Sequence, residues 1–583
     1  MYSKYYQSEL TYLREMGALF GAENPAIAGL LAEHGTDPDV ERLLEGFAFL
    51  TARIRERVDD SVPEVVHALV ELVAPHYLRS IPATTIVQFS PQIAGMQGRQ
   101  TIPRGAKVAS QAVKGTQCQF RTTANTELVP VALEDVDLDI TKSAEPAIRL
   151  SMRSPAKVAP IVFQDNGIRL FLGIDPAMGG TLLLWLLRYC KGFEVLAQVG
   201  GKTRSVEISP DNIKAVGFSE DEALFPWPRM SPQGYRLLLE YYTQPAKFMF
   251  VDICGLDRAA DLASERFELA FHFDRPPELP SPLTNNQVRL LCSPVVNLFE
   301  PPADPVRRSA IEHDHLLRAA DIEPLHMEVY SVDHVSGVRQ GRSDPIDYSP
   351  FVDFSHAAGG DARGFYHITR HLSPLDDGVD TYFSIVTAQD VPAVEEEEVF
   401  TIELTCTNRF LPLELRAGSI CKHVPGSPVG GEFSNPAEVT KPVRPPLGGE
   451  LYWRLMSHLA LNYNTIADAN ALRALLELYN FQALSDQFAG KANRLKAEGL
   501  LEVSSQPSRR MIKGAPLHGV RTTVELDETR MNGTGDAFLF GCILDALFAD
   551  HITLNAFHET QLKLRGTQEV YAWQPQAGIK RLI

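Results

Sequence analysis

The amino-acid sequence predicts a multi-domain α+β protein, with an N-terminal helical bundle segment, β-rich middle modules of sandwich or barrel type, and a mixed α/β C-terminal region. Three observations carry this. Apolar residues recur at helical spacing over the first eighty positions, strand-like runs punctuated by Pro and Gly fill the middle, and helical spacing returns after a breaker-rich stretch near position 445. A chain of 583 residues and 64.6 kDa has room for several cores. We expect divisions at 1–80, 81–275, 276–447 and 448–583.

The first region opens with Leu10, Leu13, Met16 and Phe20 at three- and four-residue steps, the stripe of a buried helical face, and Asn24-Pro25 ends the run. A second helix is announced by Asp37-Pro38-Asp39: Asp37 can accept from an orphan amide, Pro38 suits the first helical position, and Asp39 and Glu41 complement the dipole. Its stripe is Val40, Leu43, Leu44, Phe47, Leu50, Ile54 and Val58, with Phe49 adding apolar surface to one side. Ser61 and Glu64 have capping-box spacing for a third helix that stops near Pro75.

From Pro82 onward short runs such as 84–89 read as strands, and so do 236–242 and 267–273, where bulky and polar residues partly alternate. Four prolines within 274–282 mark a boundary between β modules. The next β-rich stretch contains four consecutive glutamates at 395–398, read as a solvated face. Pro442 to Gly449 forms a second linker, followed by helical spacing at Leu451, Leu455 and Leu459 and again at Leu472, Leu475, Leu476 and Tyr479. The final region pairs a strand at 520–526 with a helix at 538–548.

The formal charge of -18, with a pI near 5.4, argues against a phosphate-tracking basic surface. The longest apolar stretch, 182–187, is too short to cross a bilayer, and the N-terminus lacks the apolar core of an export signal. A cytoplasmic protein is therefore expected, its seven scattered cysteines buried and reduced.

Motifs of catalysis and cofactor binding fall short one by one. Gly200-Gly201-Lys202-Thr203 ends like a phosphate loop, but the glycine needed five positions before Gly201 is Leu196, so a hairpin turn is favoured. Gly533-Thr534-Gly535 starts like a dinucleotide fingerprint, but Phe538 stands at the third glycine. His367 and His371 are spaced for one helical face, yet Ile368 replaces the glutamate of a zinc protease motif; His313-Asp314-His315 lacks further ligands nearby. No nucleophile elbow is present. The expectation is a non-enzymatic protein without metal or cofactor.

Longer words along the chain are more specific. Tyr5-Tyr6-Gln7-Ser8-Glu9-Leu10, the run from Asp37 to Leu50, Pro75-His76-Tyr77-Leu78-Arg79, the run from Cys292 to Glu300, Leu404-Thr405-Cys406-Thr407-Asn408-Arg409 and the run from Met456 to Tyr463 together make the chain similar to the TssF family of type VI secretion baseplate subunits, also called ImpG or VasA. The resemblance covers nearly the whole chain. It implies a structural subunit that joins TssG, TssK and TssE in wedges around the VgrG spike hub, with more than one copy per wedge. It also implies a platform for the contractile sheath and an assembly docked at the inner-membrane complex.

Leu10, Leu13, Phe20, Leu43, Leu44, Phe47, Leu50 and Ile54 are then the candidate interface residues, since a bundle with another chain would use this stripe. Asn297 and Asn408 are read as turn caps, Arg409 as the partner of a buried carboxylate, and His458 as a helix-face histidine. The linkers around Pro276 and Pro445 suggest modules that move relative to one another. The alternative from another class is a multi-β-domain ligand- or carbohydrate-binding protein.

Overall fold

Pro38 opens α1 (Pro38–Asp59), where its fixed φ suits the first turn and its missing N–H has no intrahelical acceptor to lose. The computed structural model describes residues 6, 10–13, 16, 38–59, 67, 70–71, 74–140, 145–164, 167–228, 231–308, 314–339, 344–351, 364–386, 398–429, 431–447, 454, 457, 468–512, 515–554 and 556–578. Asp37, Phe20, Ser61, Glu64 and His458, with most of the helical spacing expected from Leu451 to Leu459, lie outside the described residues.

Further helices follow. In α2 (Pro176–Leu184) the Asp175 side chain accepts from the Ala177 amide at 3.1 Å, and a π turn at Trp185–Tyr189 continues it. After α3 (Gln233–Thr243), Asp468 caps α4 (Ala469–Leu478) and Asp486 caps α5 (Gln487–Glu498), each accepting from two amides. Near the C-terminus comes α6 (Thr534–Ala549), which contains the predicted 538–548 helix.

Strands gather into several sheets. A six-stranded antiparallel sheet runs in the spatial order Ile420–Lys422, Lys107–Val113, Thr116–Thr122, Cys292–Val296, Thr84–Pro91 and Gly431–Ser434. Its end strands approach each other where the Ile420 amide donates to the Asn435 side chain at 2.8 Å, so the sheet nearly closes around Val87, Phe120, Val295 and Ile420. Its strands come from both sides of position 275. A seven-stranded sheet includes Glu328–Arg339, Phe365–Leu372, Val379–Val386 and Glu398–Thr407, and has its own core around Phe383, Phe400 and Leu404.

A five-stranded antiparallel sheet contains the hairpin of Cys190–Val199 and Lys202–Ile208, turned at Gly200 and Gly201 with φ of +62° and +77°. Two consecutive left-handed residues make a tight hairpin turn, which is why glycines stand there. The C-terminal sheet joins the long hairpin of Leu500–Ile512 and Ala515–Leu526 to Ala556–Leu564, which runs parallel to its neighbour.

The largest core unites α2, α3, α4 and α6 with the five-stranded and C-terminal sheets. Glycines set the helix distances: a Cβ at Gly535 would lie 2.2 Å from the Gly180 carbonyl carbon, and one at Gly234 would lie 2.5 Å from Leu547 Cα. Gly535 thus serves close crossing of α2 and α6, in place of the weak dinucleotide motif.

Three expectations are corrected. Residues 236–242 form the body of α3: Gln233, Arg236 and Glu240 recur at helical steps of three and four, and although the helix is buried on every side, Arg236 and Glu240 pair inside the core at 3.0 Å. Glu398 is 1% exposed, accepting from the Tyr348 hydroxyl at 2.7 Å with Arg308 and Arg339 nearby; the other three glutamates of that run lie outside the described residues. His367 and His371 lie on the strand Phe365–Leu372, not on a helix.

Candidate assembly surface

On α1, Leu43, Phe47 and Leu50 recur at steps of four and three, which places them on one face. They are 62%, 59% and 58% exposed, and Phe49 beside them is 47% exposed. Ala48 and Ala52, one turn apart and on the opposite face, are fully buried. An isolated surface helix would bury its large apolar stripe and turn small residues outward. This one does the reverse. Burying a Leu or Phe side chain contributes about 1.5–3 kcal/mol, so three on one face hold several kcal/mol that this chain alone leaves unused.

Of the other candidate residues, Leu44 is half-buried on α1, and Leu10 and Leu13 are half-buried in the N-terminal helical stretch, beside exposed Tyr12 and Met16. Phe20 lies outside the described residues; Ile54 lies within α1, but its side chain is likewise outside them. Leu43, Phe47 and Leu50 are therefore the three candidates that the structure brings together on an exposed face.

Elsewhere in the chain, buried polar groups join one element to another. Asn297 follows a strand of the six-stranded sheet and Asn408 follows one of the seven-stranded sheet. The Asn297 amide nitrogen donates to Asn408 Oδ1 at 2.8 Å, and the Asn408 backbone N–H donates to Asn297 Oδ1 at 2.7 Å. Asn297 also donates to the Gln119 carbonyl at 2.7 Å, and Asn408 Oδ1 accepts from the Gln119 amide at 3.0 Å. Both side chains are fully buried. More than the predicted turn caps, they form a reciprocal bridge between two sheets.

Arg409, the next residue, has a φ of +53° and pairs with Asp376 and, at 3.5 Å, with Asp380. That is the expected carboxylate pairing, although both partners are only partly buried. In the main core, Lys496 lies 2.9 Å from Asp536, which also accepts from the Tyr241 hydroxyl at 2.7 Å. Glu240 receives Arg236, Lys247 and the Leu224 amide, and burial pushes the Lys247 ammonium down to about 8. Sequence reading missed these networks, and an apolar run interrupted by isolated Arg, Glu or Asp was the signal available.

Among the described residues no cluster of three or more His, Cys, Asp or Glu side chains could hold a metal ion, and no helix is long and apolar enough to cross a membrane. All seven cysteines are free, four of them buried.

Comparison with known proteins decides the family. The family model described as type VI secretion system, TssF, matches residues 2–580. The chain belongs to the TssF family. A relative from Pseudomonas aeruginosa strain PAO1, type VI secretion system component TssF1, is 32% identical over 628 aligned positions, spanning 99% of this chain and 98% of its own length. Among solved structures, a chain of the type VI secretion TssK-TssF-TssG baseplate subcomplex superposes on this TssF-family chain with a TM-score of 0.76 at 29% identity, covering 93% of this chain and 99% of that one. A chain of the baseplate complex from the type VI secretion system matches with a TM-score of 0.66 at 26% identity over the full length of both.

Proposed function

We propose that this TssF-family chain is a structural subunit of the type VI secretion baseplate and assembles with TssG- and TssK-like partners. The observation that carries this is α1, with Leu43, Phe47 and Leu50 exposed while Ala48 and Ala52 are buried. Family membership and similarity to chains of baseplate assemblies support the reading. In this reading α1 is a wedge helix that packs against a partner or a second copy. A TssE-like protein, the VgrG hub and the sheath meet other faces of the same wedge, in the cytoplasm beneath the inner-membrane complex. The role is assembly, with no catalytic step. Large exposed apolar residues on a helical face favour this over the ligand- or carbohydrate-binding alternative.

The test is a triple variant, Leu43→Glu, Phe47→Glu and Leu50→Glu, co-expressed with the TssG-like neighbour. Charge buried at a packed interface without a partner is strongly unfavourable, so native mass should show the complex lost while circular dichroism stays native. A folded variant that still enters a complex of the same mass would remove α1 from the joint.

A further inference from the structure

Where the segment of His67 and Glu71 meets the seven-stranded sheet, a cavity of about 100 Å³ is lined by His67, Glu71 and Arg79 and by Tyr366, His367 and Arg370. It is larger than the roughly 10–15 Å³ that one water needs. Three nitrogens of residues lining this cavity have no hydrogen-bond partner among the described residues: Arg79 Nε, Arg370 Nε and His67 Nε2. Arg370 and His67 are each only 6% exposed.

The two arginines share one close carboxylate. Arg370 reaches Glu71 at 3.4 Å and Arg79 reaches the same carboxylate at 3.9 Å, so two guanidinium groups share one anion that is itself one-third exposed. Arg79 gains a second contact by lying over the Tyr330 ring at 5.4 Å. Asp333 and Glu328 add negative charge that acts on Arg79 and Arg370 without an ion pair to either among the described residues; Asp333 accepts from the hydroxyls of Ser331 and Thr405, and Glu328 from the Val379 amide. Water can satisfy the unused N–H groups, but an anion would do so through charge-assisted hydrogen bonds, which are shorter and stronger. Burial first, and then the nearby Arg370, push the His67 imidazole down to about 4, the behaviour of a site that refuses a further positive charge.

We propose that this cavity binds a small oxyanion with the charge and shape of inorganic phosphate, held by the free Nε atoms of Arg79 and Arg370 and by His67. Guanidinium N–H groups are the donors best matched to such oxygens. The anion would accept from the donors that the described residues leave unpaired, and would fasten the segment of His67 and Glu71 to the seven-stranded sheet.

The test titrates the full-length chain, purified without phosphate, with inorganic phosphate at constant ionic strength, chloride serving as the reference salt. Calorimetry should give saturable one-site binding accompanied by a rise in melting temperature. Arg370→Gln should weaken binding by about tenfold or more, in line with loss of a charged hydrogen bond. Arg79→Gln should do the same, and it decides the matter if the first variant does not fold. Arg104→Gln, which removes an arginine bonded to the Ala223 carbonyl on another surface, should leave the affinity unchanged. No saturable binding, native affinity in folded Arg370→Gln and Arg79→Gln, or an equal loss in Arg104→Gln would each overturn the proposal and leave the cavity to water.

Discussion

Helices α1 and α6 both carry leucine and phenylalanine over much of their circumference, yet their surroundings are opposite. On α6, Phe538, Leu539, Phe540, Leu544, Leu547 and Phe548 are at most 3% exposed, whereas on α1 Leu43, Phe47 and Leu50 stand more than half exposed. Helix α6 finds its partners in α2, α3 and the Ala556–Leu564 strand of the same chain. On α1 the buried positions among the described side chains are Ala48 and Ala52, and in the proposed function its large residues meet a surface from outside the chain. Apolar content therefore says that a helix will be covered; only the fold says whether the chain covers it itself.

Each side of this contrast can be broken separately. The largest effect is expected from Gly535→Leu. Its new side chain would start 2.2 Å from the α2 backbone, so the crossing must open, at a loss of at least about 4 kcal/mol read from urea unfolding or from the loss of soluble protein. Next comes Asp536→Asn on α6, which leaves Lys496 buried without its counter-charge; about 3 kcal/mol should disappear from unfolding stability.

Acid should act through two buried histidines. His67 and His558 are both pushed down to about 4, chiefly by burial. Between pH 6.5 and 4 the unfolded chain binds protons that the folded chain excludes, so their contribution to stability falls as the pH drops through that window. Asp545 on α6 works in the opposite sense. Burial raises its carboxyl to about 6, so its contribution is present below the unfolded value of 3.8 and is lost as the pH rises through 6. His558→Gln should therefore recover about 2 kcal/mol of the difference between pH 7 and pH 4.5, and Asp545→Asn should steepen the acid loss.

The smallest effect on the isolated chain, within about 0.5 kcal/mol per site, is expected from the triple glutamate variant of α1, since those side chains are already in water. The same variant should have the largest effect on assembly. A substantial loss of stability in the free chain would instead show that the stripe has an intramolecular partner.

Local chemistry made part of this legible in the sequence. Pro38 set the start of α1, Gly200-Gly201 set a hairpin, and the apolar density at 538–548 announced α6. Reading failed where the environment erased the pattern. In α3 every face is buried and the bulky Leu and Tyr residues suit a strand as well as a helix, so the helical spacing of Gln233, Arg236 and Glu240 was outweighed. Glu398 looked solvated because its neighbours in sequence are glutamates, while its neighbours in space are Tyr348 and two arginines. The exposed face of α1 was legible as a stripe, but its exposure was not, because periodicity gives a direction and not what lies there. Asn297 and Asn408 stood out as members of distinctive words, although their mutual contact spans more than a hundred residues and has no local signature.

The nearly closed six-stranded sheet also has a timetable. Its first strand, Thr84–Pro91, pairs with Cys292–Val296 on one side and with Gly431–Ser434 on the other, so its second partner leaves the ribosome more than three hundred residues later. At about 5–20 residues per second the strand waits tens of seconds with an unpaired edge. Cells making this protein must keep that edge from pairing with a neighbouring nascent chain, and conditions that slow synthesis without slowing aggregation will lower its yield before they affect any finished molecule.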